Sequence, residues 1–167
     1  MAKLKSEELE LEFEFLNYAV YELDEYTFRC TLRWNGIPVL NGLAMKNESD
    51  SYKKDQGGEL FGSKMGGFTL LNYLENALKT KSVKIWEAWP DPDMCVSIYP
   101  ARCFPNLDEE TSEYNTIIVS PNTYQFEGNE CYSGYEGVSF VMTPKTQELK
   151  AFINALKREL EDIKGKK

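Results

Sequence analysis

Apolar and polar side chains alternate most regularly in residues 26–40, which read YTFRCTLRWNGIPVL. The apolar positions of this pattern are Phe28, Cys30, Leu32 and Trp34. Threonine and arginine stand between them, so an extended strand here has one apolar face that can cover a core. Asn35 and Gly36 follow at once, and both tolerate the positive φ that a two-residue type I′ turn requires. The stretch predicts a β-hairpin that returns through residues 37–40.

A second alternating pattern covers residues 9–20, where glutamate occupies every other position up to Glu14. Leucine and phenylalanine fill the positions between, which predicts a strand with an acidic outer face. After Phe15 the apolar positions shift by one residue, to Leu16, Tyr18 and Val20. Because such a shift reverses the two faces of a strand, we expect a β-bulge near Phe15 and Leu16.

Two segments have the helical spacing of apolar residues. Residues 68–79 place Phe68, Leu71, Leu74 and Leu78 on one stripe, and this stripe should face the sheet. A longer helix should follow Thr143 and Pro144, because threonine can cap a helix and proline suits its first turn. Its apolar stripe consists of Leu149, Phe152, Ile153, Leu156, Leu160 and Ile163.

Further strands are predicted at residues 82–89, 94–99, 115–120 and 138–142. Both faces of the first of them are apolar, which favours a central position in the sheet. Residues 45–67 are rich in glycine and charge, and we expect a mobile loop there.

The resulting order is three strands, a helix, four strands and a helix. It predicts a single α+β domain over residues 1–167, with a frayed tail at residues 164–167. The expected architecture is a mostly antiparallel sheet of about six to seven strands with two helices packed on one face.

The chain carries 19 Lys and Arg against 27 Asp and Glu, a net charge of −8, and its pI is near 4.7. This balance opposes binding to phosphate, so direct nucleic-acid recognition is excluded. The apolar runs are far shorter than the roughly 20 residues that span a bilayer, and charged residues occupy the N-terminus where a signal peptide would be apolar. A soluble cytoplasmic protein without membrane contact is expected.

Histidine is absent from the sequence, which removes imidazole-activated serine and cysteine nucleophiles. The four cysteines, Cys30, Cys95, Cys103 and Cys131, show no CxxC spacing. We expect four reduced thiols, no metal and no cofactor. Carboxylate pairs such as Asp91 with Asp93 leave a histidine-free hydrolase open, but they fall in turn-like segments where solvated acids are the simpler interpretation.

The charge is unevenly distributed, because no lysine or arginine occurs between Cys103 and Pro144. Tyrosine is frequent in the same segment, and tyrosine among carboxylates suits contact with a basic protein surface. The candidate partner-binding residues are Asp108, Glu109, Glu110, Glu113, Glu127, Glu130, Tyr132, Tyr135 and Glu136. The competing interpretation is that these acidic residues only keep the protein soluble.

In size and acidity the chain resembles the small immunity proteins that neutralise basic bacterial toxins, although this resemblance is compositional and covers no motif. It implies a non-enzymatic protein that engages a basic protein partner. The alternative from another class is a small-ligand-binding domain that uses the tyrosine-rich loops and the glycine-rich segment as a lid.

Overall fold

The computed structural model describes residues 1–20, 24–40, 59–64, 70–87, 94–103, 113–121 and 139–165. These residues form nine strands and two helices, which confirms the α+β class. In chain order the elements are β1 (Ala2–Ser6), β2 (Leu9–Val20), β3 (Asp24–Trp34), β4 (Ile37–Leu40), β5 (Glu59–Lys64), α1 (Leu70–Thr80), β6 (Lys84–Glu87), β7 (Met94–Tyr99), β8 (Thr116–Pro121), β9 (Phe140–Met142) and α2 (Thr146–Lys164).

The first sheet is antiparallel and contains β1 to β5. Its strands follow the order β1-β2-β3-β4, and β5 pairs with β3 as well. The two late strands share one edge of β3, since β4 pairs with residues 32–34 and β5 with residues 24–29. β3 is therefore the strand on which this sheet is assembled, as the regularity of its sequence indicates.

The predicted bulge and hairpin turn are confirmed. Phe15 pairs with Phe28 and Asn17 with Thr27, so the register shifts at Leu16. Asn35 has a φ of 50° and Gly36 a φ of 80° in the turn between β3 and β4. Both angles lie in the left-handed region that a type I′ turn requires.

The second sheet is also antiparallel and has the order β6-β7-β8-β9. The predicted single sheet of six to seven strands is therefore wrong. The prediction that the strand in residues 82–89 is central is also wrong, because β6 lies at the edge and pairs only with β7 among the described strands. Trp86 on one face is buried, whereas Ile85 on the other is 50% exposed.

The helices do not share one face of one sheet. α2 packs on β1 and β2, α1 packs on β6 and β7, and the two helices contact each other. The stripe of α2 buries Leu149, Phe152, Ile153 and Leu156, as its spacing predicts. No helix in the described part of the chain is long and apolar enough to cross a membrane.

Aromatic side chains join the two sheets within one core. The Phe13 and Phe28 rings stack with their centroids 4.7 Å apart, and the centroid of Phe28 lies 5.8 Å from that of Trp86 in β6. Phe13 and Phe28 belong to the first sheet and Trp86 to the second, so this aromatic chain crosses the interface between the sheets. All three side chains are almost completely buried.

Two local predictions need correction. Residues 59–64 form β5, although the sequence places them in a loop; the remainder of residues 45–67 lies outside the described residues. The helix cap is Lys145 rather than Thr143, and the Lys145 amide donates to Glu148 Oε2 at 2.7 Å. α2 continues to Lys164, and Gly165 donates its amide to the Glu161 carbonyl. Residues 166–167 lie outside the described residues, and the fraying of the tail stays a prediction.

The outer face of the first sheet carries a buried carboxylate. Glu12 is only 7% exposed and forms ion pairs with Lys3 and with Arg33, whose Nε lies 3.3 Å from Glu12 Oε2. The hydrogen bond from Lys3, assisted by the Arg33 charge, holds the pKa of Glu12 below its usual range. A lowered pKa in the folded state means that this carboxylate stabilises the fold above its unfolded pKa, and that the contribution disappears as the pH falls through the folded value.

We expect Glu12→Gln to lower the free energy of unfolding at pH 7 by about 1 kcal/mol, a modest value because Lys3 stays half exposed. The difference from the wild type should shrink as the pH drops below about 4. Urea unfolding between pH 3 and 7 measures it, with the exposed Glu7→Gln as a control of equal charge change. A difference that stays constant with pH would contradict the ion-pair assignment.

Candidate functional site

Of the nine residues that the sequence nominates for partner binding, Glu113 is the one that the structure describes. The other eight, Asp108, Glu109, Glu110, Glu127, Glu130, Tyr132, Tyr135 and Glu136, lie outside the described residues. Their mutual arrangement therefore stays a prediction.

Glu113 is exposed and lies shortly before β8, beside the N-terminal end of α2. Its carbonyl oxygen accepts a hydrogen bond from Thr146 Oγ1 at 3.0 Å. The next residue, Tyr114, forms an isolated antiparallel bridge with Lys145 and is 43% exposed. Lys145 Nζ lies 5.5 Å from the centre of the Tyr114 ring, within cation–π range. An exposed carboxylate and a half-exposed tyrosine thus stand side by side on backbone that is anchored to the helix.

A groove of about 360 Å³ opens between the turn joining β1 to β2 and β9, the last strand of the second sheet among the described strands. The groove contains the exposed indole of Trp34, carboxylates on one wall, and hydroxyl and apolar side chains on the other. Its lining residues are Ser6, Glu7, Glu8, Leu9, Trp34, Ser139, Phe140, Val141 and Thr143.

Strand register explains why the groove forms here. Leu9 pairs with Trp34, and Trp34 pairs with Ile37, so these side chains form the last cross-strand row of the first sheet. Residues two positions earlier in β3 and two later in β2, Leu32 and Leu11, are fully buried on the core side. In this last row Trp34 is 55% and Ile37 68% exposed. The core ends before this row does, and Leu9 and Trp34 of the row line the groove.

Hydrogen bonds fix the turn wall of the groove. The Asn35 amide donates to the Glu8 carbonyl at 2.8 Å, which ties the hairpin turn to the β1–β2 turn. The Trp34 indole Nε1–H donates to Glu8 Oε2 at 2.6 Å. Glu7 has a φ of 48°, a left-handed conformation that costs a non-glycine residue about 1–2 kcal/mol. The indole and the Glu8 carboxylate are therefore held in one arrangement.

The second wall comes from a strand more than a hundred residues away in sequence. The Thr143 amide donates to Ser6 Oγ at 2.8 Å, and the two hydroxyl oxygens are 3.4 Å apart. This contact joins the end of β1 to the end of β9. Val141 of β9 is 53% exposed beside the groove. The wall is thus attached to the first sheet but presents apolar surface to solvent.

The groove is acidic. Glu7 and Glu8 line it, and none of its described lining residues is a lysine or an arginine. Neither carboxylate forms an ion pair with a residue that the structure describes. A fixed aromatic ring next to two such carboxylates is an arrangement that attracts a cation.

Acid–base and metal chemistry find little support in the described part of the chain. Glu12, the buried carboxylate, has a lowered pKa, whereas a general acid needs a raised one. No group of three or more Cys, Asp or Glu residues that could hold a metal ion occurs there. Cys30, Cys95 and Cys103 are free thiols, and burial raises the pKa of Cys30 to about 12, so its reactive thiolate is scarce at neutral pH. Cys131 lies outside the described residues.

Comparison with known proteins supplies no relative. No family model, curated protein or solved structure matches the chain. The function must therefore be inferred from its residues and their geometry.

Sequence reasoning missed the groove because its parts carry no common signal. Trp34 has the parity of a core residue, and the pattern around it predicts burial. The sequence pattern assigns Glu7 and Glu8 to an acidic strand. Nothing in the sequence indicates that residues 139–143 lie beside them. The one signal available was Asn35-Gly36 directly after Trp34, which puts the indole at the end of its strand.

Proposed function

We propose that this protein is a non-enzymatic binding protein that engages a basic protein partner. The observation that carries the proposal is the charge distribution, since no lysine or arginine occurs between Cys103 and Pro144 while seven acidic residues do. Such a one-sided segment attracts a basic surface and speeds association.

The contact surface in this proposal is the tyrosine-bearing segment of residues 107–136, of which Glu113 is the described residue. The exposed Tyr114 directly after Glu113 extends the same composition onto anchored backbone. Carboxylates would steer the encounter, whereas tyrosines that become buried would provide most of the lasting affinity. In this respect the protein resembles the immunity proteins, whose partners are basic toxins.

A pull-down from a lysate of the source cell at low and high salt tests the proposal. We expect wild-type protein to retain a basic partner at about 50 mM salt and to release much of it at about 500 mM, where charges are screened within a few ångströms. Glu109→Lys with Glu110→Lys should reduce capture at low salt.

The matched control is Glu161→Lys with Asp162→Lys, which changes the net charge equally. Both residues are exposed near the end of α2, where lysine suits the helix dipole. If the two double variants reduce capture equally, the effect reflects net charge and the assigned segment is wrong. If no basic protein is retained, the proposed function is wrong.

A small-ligand-binding function is the second candidate, and the groove is the observation that favours it. Its volume of about 360 Å³ lies at the lower end of the range of small-molecule sites. A thermal-shift screen in which an uncharged compound raises the melting temperature, together with failure of the pull-down, would favour this candidate.

A further inference from the structure

We infer that the groove between the β1–β2 turn and β9 receives an arginine side chain of the basic partner, stacked on the Trp34 indole and paired with the carboxylates of Glu7 and Glu8. This inference rests on the proposed function, and it names a contact site distinct from residues 107–136. The occupant is an arginine on a peptide segment of the partner.

The first support is the exposed, fixed aromatic face. Trp34 is 55% exposed, and the lining of the groove by this residue offers apolar area that a partner could cover. The hydrogen bond from Nε1 to Glu8 holds the ring plane in place, so little conformational freedom remains to be lost on binding. A preorganised indole is the best of the aromatic faces for a cation.

The second support is charge complementarity at the same point. Glu8 Oε2 accepts the indole N–H, which brings a carboxylate to the edge of the ring, and Glu7 is its neighbour in the turn. A cation stacked above the indole would therefore lie close to the negative charges of these two carboxylates. Among the described lining residues, the hydroxyl groups of Ser6, Ser139 and Thr143 and the apolar Val141 carry no positive charge that would neutralise these carboxylates.

Arginine fits the groove better than lysine for two reasons. Its guanidinium is planar, so it can stack on an indole while its N–H groups donate to carboxylates that lie in the plane of the guanidinium. It is also more weakly hydrated than an ammonium group, so less hydration is lost when it leaves water. Its aliphatic stem can lie along apolar surface such as Val141 at the groove wall.

A second copy of the chain is a poorer occupant. A two-fold contact on this groove would bring Glu7 and Glu8 close to their own equivalents, and like charges facing each other oppose association. The net charge of −8 adds repulsion between copies. An anionic ligand is disfavoured for the same reason.

The test follows the Trp34 indole N–H by ¹H–¹⁵N NMR in the full chain, with its peak assigned through Trp34→Phe. The probe is a blocked Gly-Arg-Gly peptide, compared with Gly-Lys-Gly and Gly-Glu-Gly. We expect the Trp34 peak to move in a saturable way with the arginine peptide, with a Kd on the order of 1 mM for a single side chain. Binding of the lysine peptide should be at least about threefold weaker, and the glutamate peptide should leave the peak in place.

Glu7→Gln combined with Glu8→Gln should weaken arginine binding by about fivefold or more, because both charges are removed while glutamine still accepts the indole N–H. The matched control is Glu161→Gln with Asp162→Asn on α2, which removes the same charge and should change the Kd by less than about twofold. Unfolding curves of both double variants establish that the fold is retained.

A Trp34 peak that does not respond to the arginine peptide, or that responds equally in the two double variants, would overturn the inference. A peak that moves with protein concentration alone, together with dimer formation in ultracentrifugation, would identify a second copy as the occupant. If the groove fails while salt-sensitive capture of a basic partner persists, only this inference is wrong. If the peptide binds but no basic partner is captured, the proposed function is wrong and the groove remains a cation site.

Discussion

Asn115→Asp is expected to lower the free energy of unfolding at pH 7 by about 3–5 kcal/mol, the cost of an uncompensated buried charge. Asn115 is fully buried immediately before β8. Its Oδ1 accepts the Ala101 amide at 2.9 Å, while its Nδ2 donates to the Pro144 carbonyl at 3.3 Å and to Thr146 Oγ1 at 3.2 Å. A carboxylate in this place keeps the acceptor but sets a negative oxygen against the Pro144 carbonyl.

The pH dependence of this variant separates charge from packing. Burial would raise the pKa of the introduced carboxyl above its unfolded value. The variant is then most stable at a pH below the pKa that this carboxyl has in the unfolded chain. It loses stability as the pH rises toward the folded pKa, because the carboxyl releases its proton at a lower pH in the unfolded chain than in the folded protein. Urea unfolding should therefore show a smaller loss near pH 4 than at pH 7.

Asn115→Ala is the matched comparison, since it removes all three side-chain hydrogen bonds without adding a charge. It should lower the free energy of unfolding by about 2–3 kcal/mol, because the buried Ala101 amide and Pro144 carbonyl are left with fewer hydrogen-bond partners. This loss should be nearly independent of pH, since no titratable group is added. An Asn115→Asp variant as stable as the wild type at pH 7 would contradict the hydrogen-bond assignment.

The second large effect is expected for Phe13→Ala, which should lower the free energy of unfolding by about 3–5 kcal/mol. Phe13 is 1% exposed and stacks on Phe28, and its ring also meets that of Phe15 edge-on at 5.3 Å. Removal of the ring leaves a cavity in the aromatic chain that reaches Trp86 of the second sheet.

Ile37→Ala is the control for this loss, because Ile37 is 68% exposed and its truncation should change stability by less than about 0.5 kcal/mol. Urea denaturation followed by circular dichroism measures both variants. Equal and small changes would show that Phe13 is not part of a tightly packed core.

The elements that the sequence predicted well are those whose signal is local. The period-two pattern of β3, the positive-φ turn at Asn35 and Gly36, and the bulge after Phe15 each depend on residues that are neighbours in the chain. β1 was not predicted, because an alternation of apolar and polar residues over only five positions is too short to indicate a strand. The structure nevertheless buries Ala2 and Leu4 and leaves the two lysines between and after them exposed.

What could not be predicted depends on contacts that are distant in the chain. The division into two sheets is set by which strands pair, and β6 has the two apolar faces of a central strand although it lies at an edge. Asn115 reads as an ordinary strand residue until Pro144 and Thr146 are brought beside it. The groove likewise requires Ser6 to meet Thr143, at a sequence separation of 137 residues.

The measurement that tests the central claim most directly is the association rate constant between this protein and its captured partner as a function of salt. Binding steered by the acidic segment predicts that the rate constant falls by about tenfold or more between about 50 mM and about 500 mM salt. Glu109→Lys with Glu110→Lys should slow association at low salt, while Glu161→Lys with Asp162→Lys should change it much less. A rate constant that is independent of salt, and equal in the two double variants, would contradict the account.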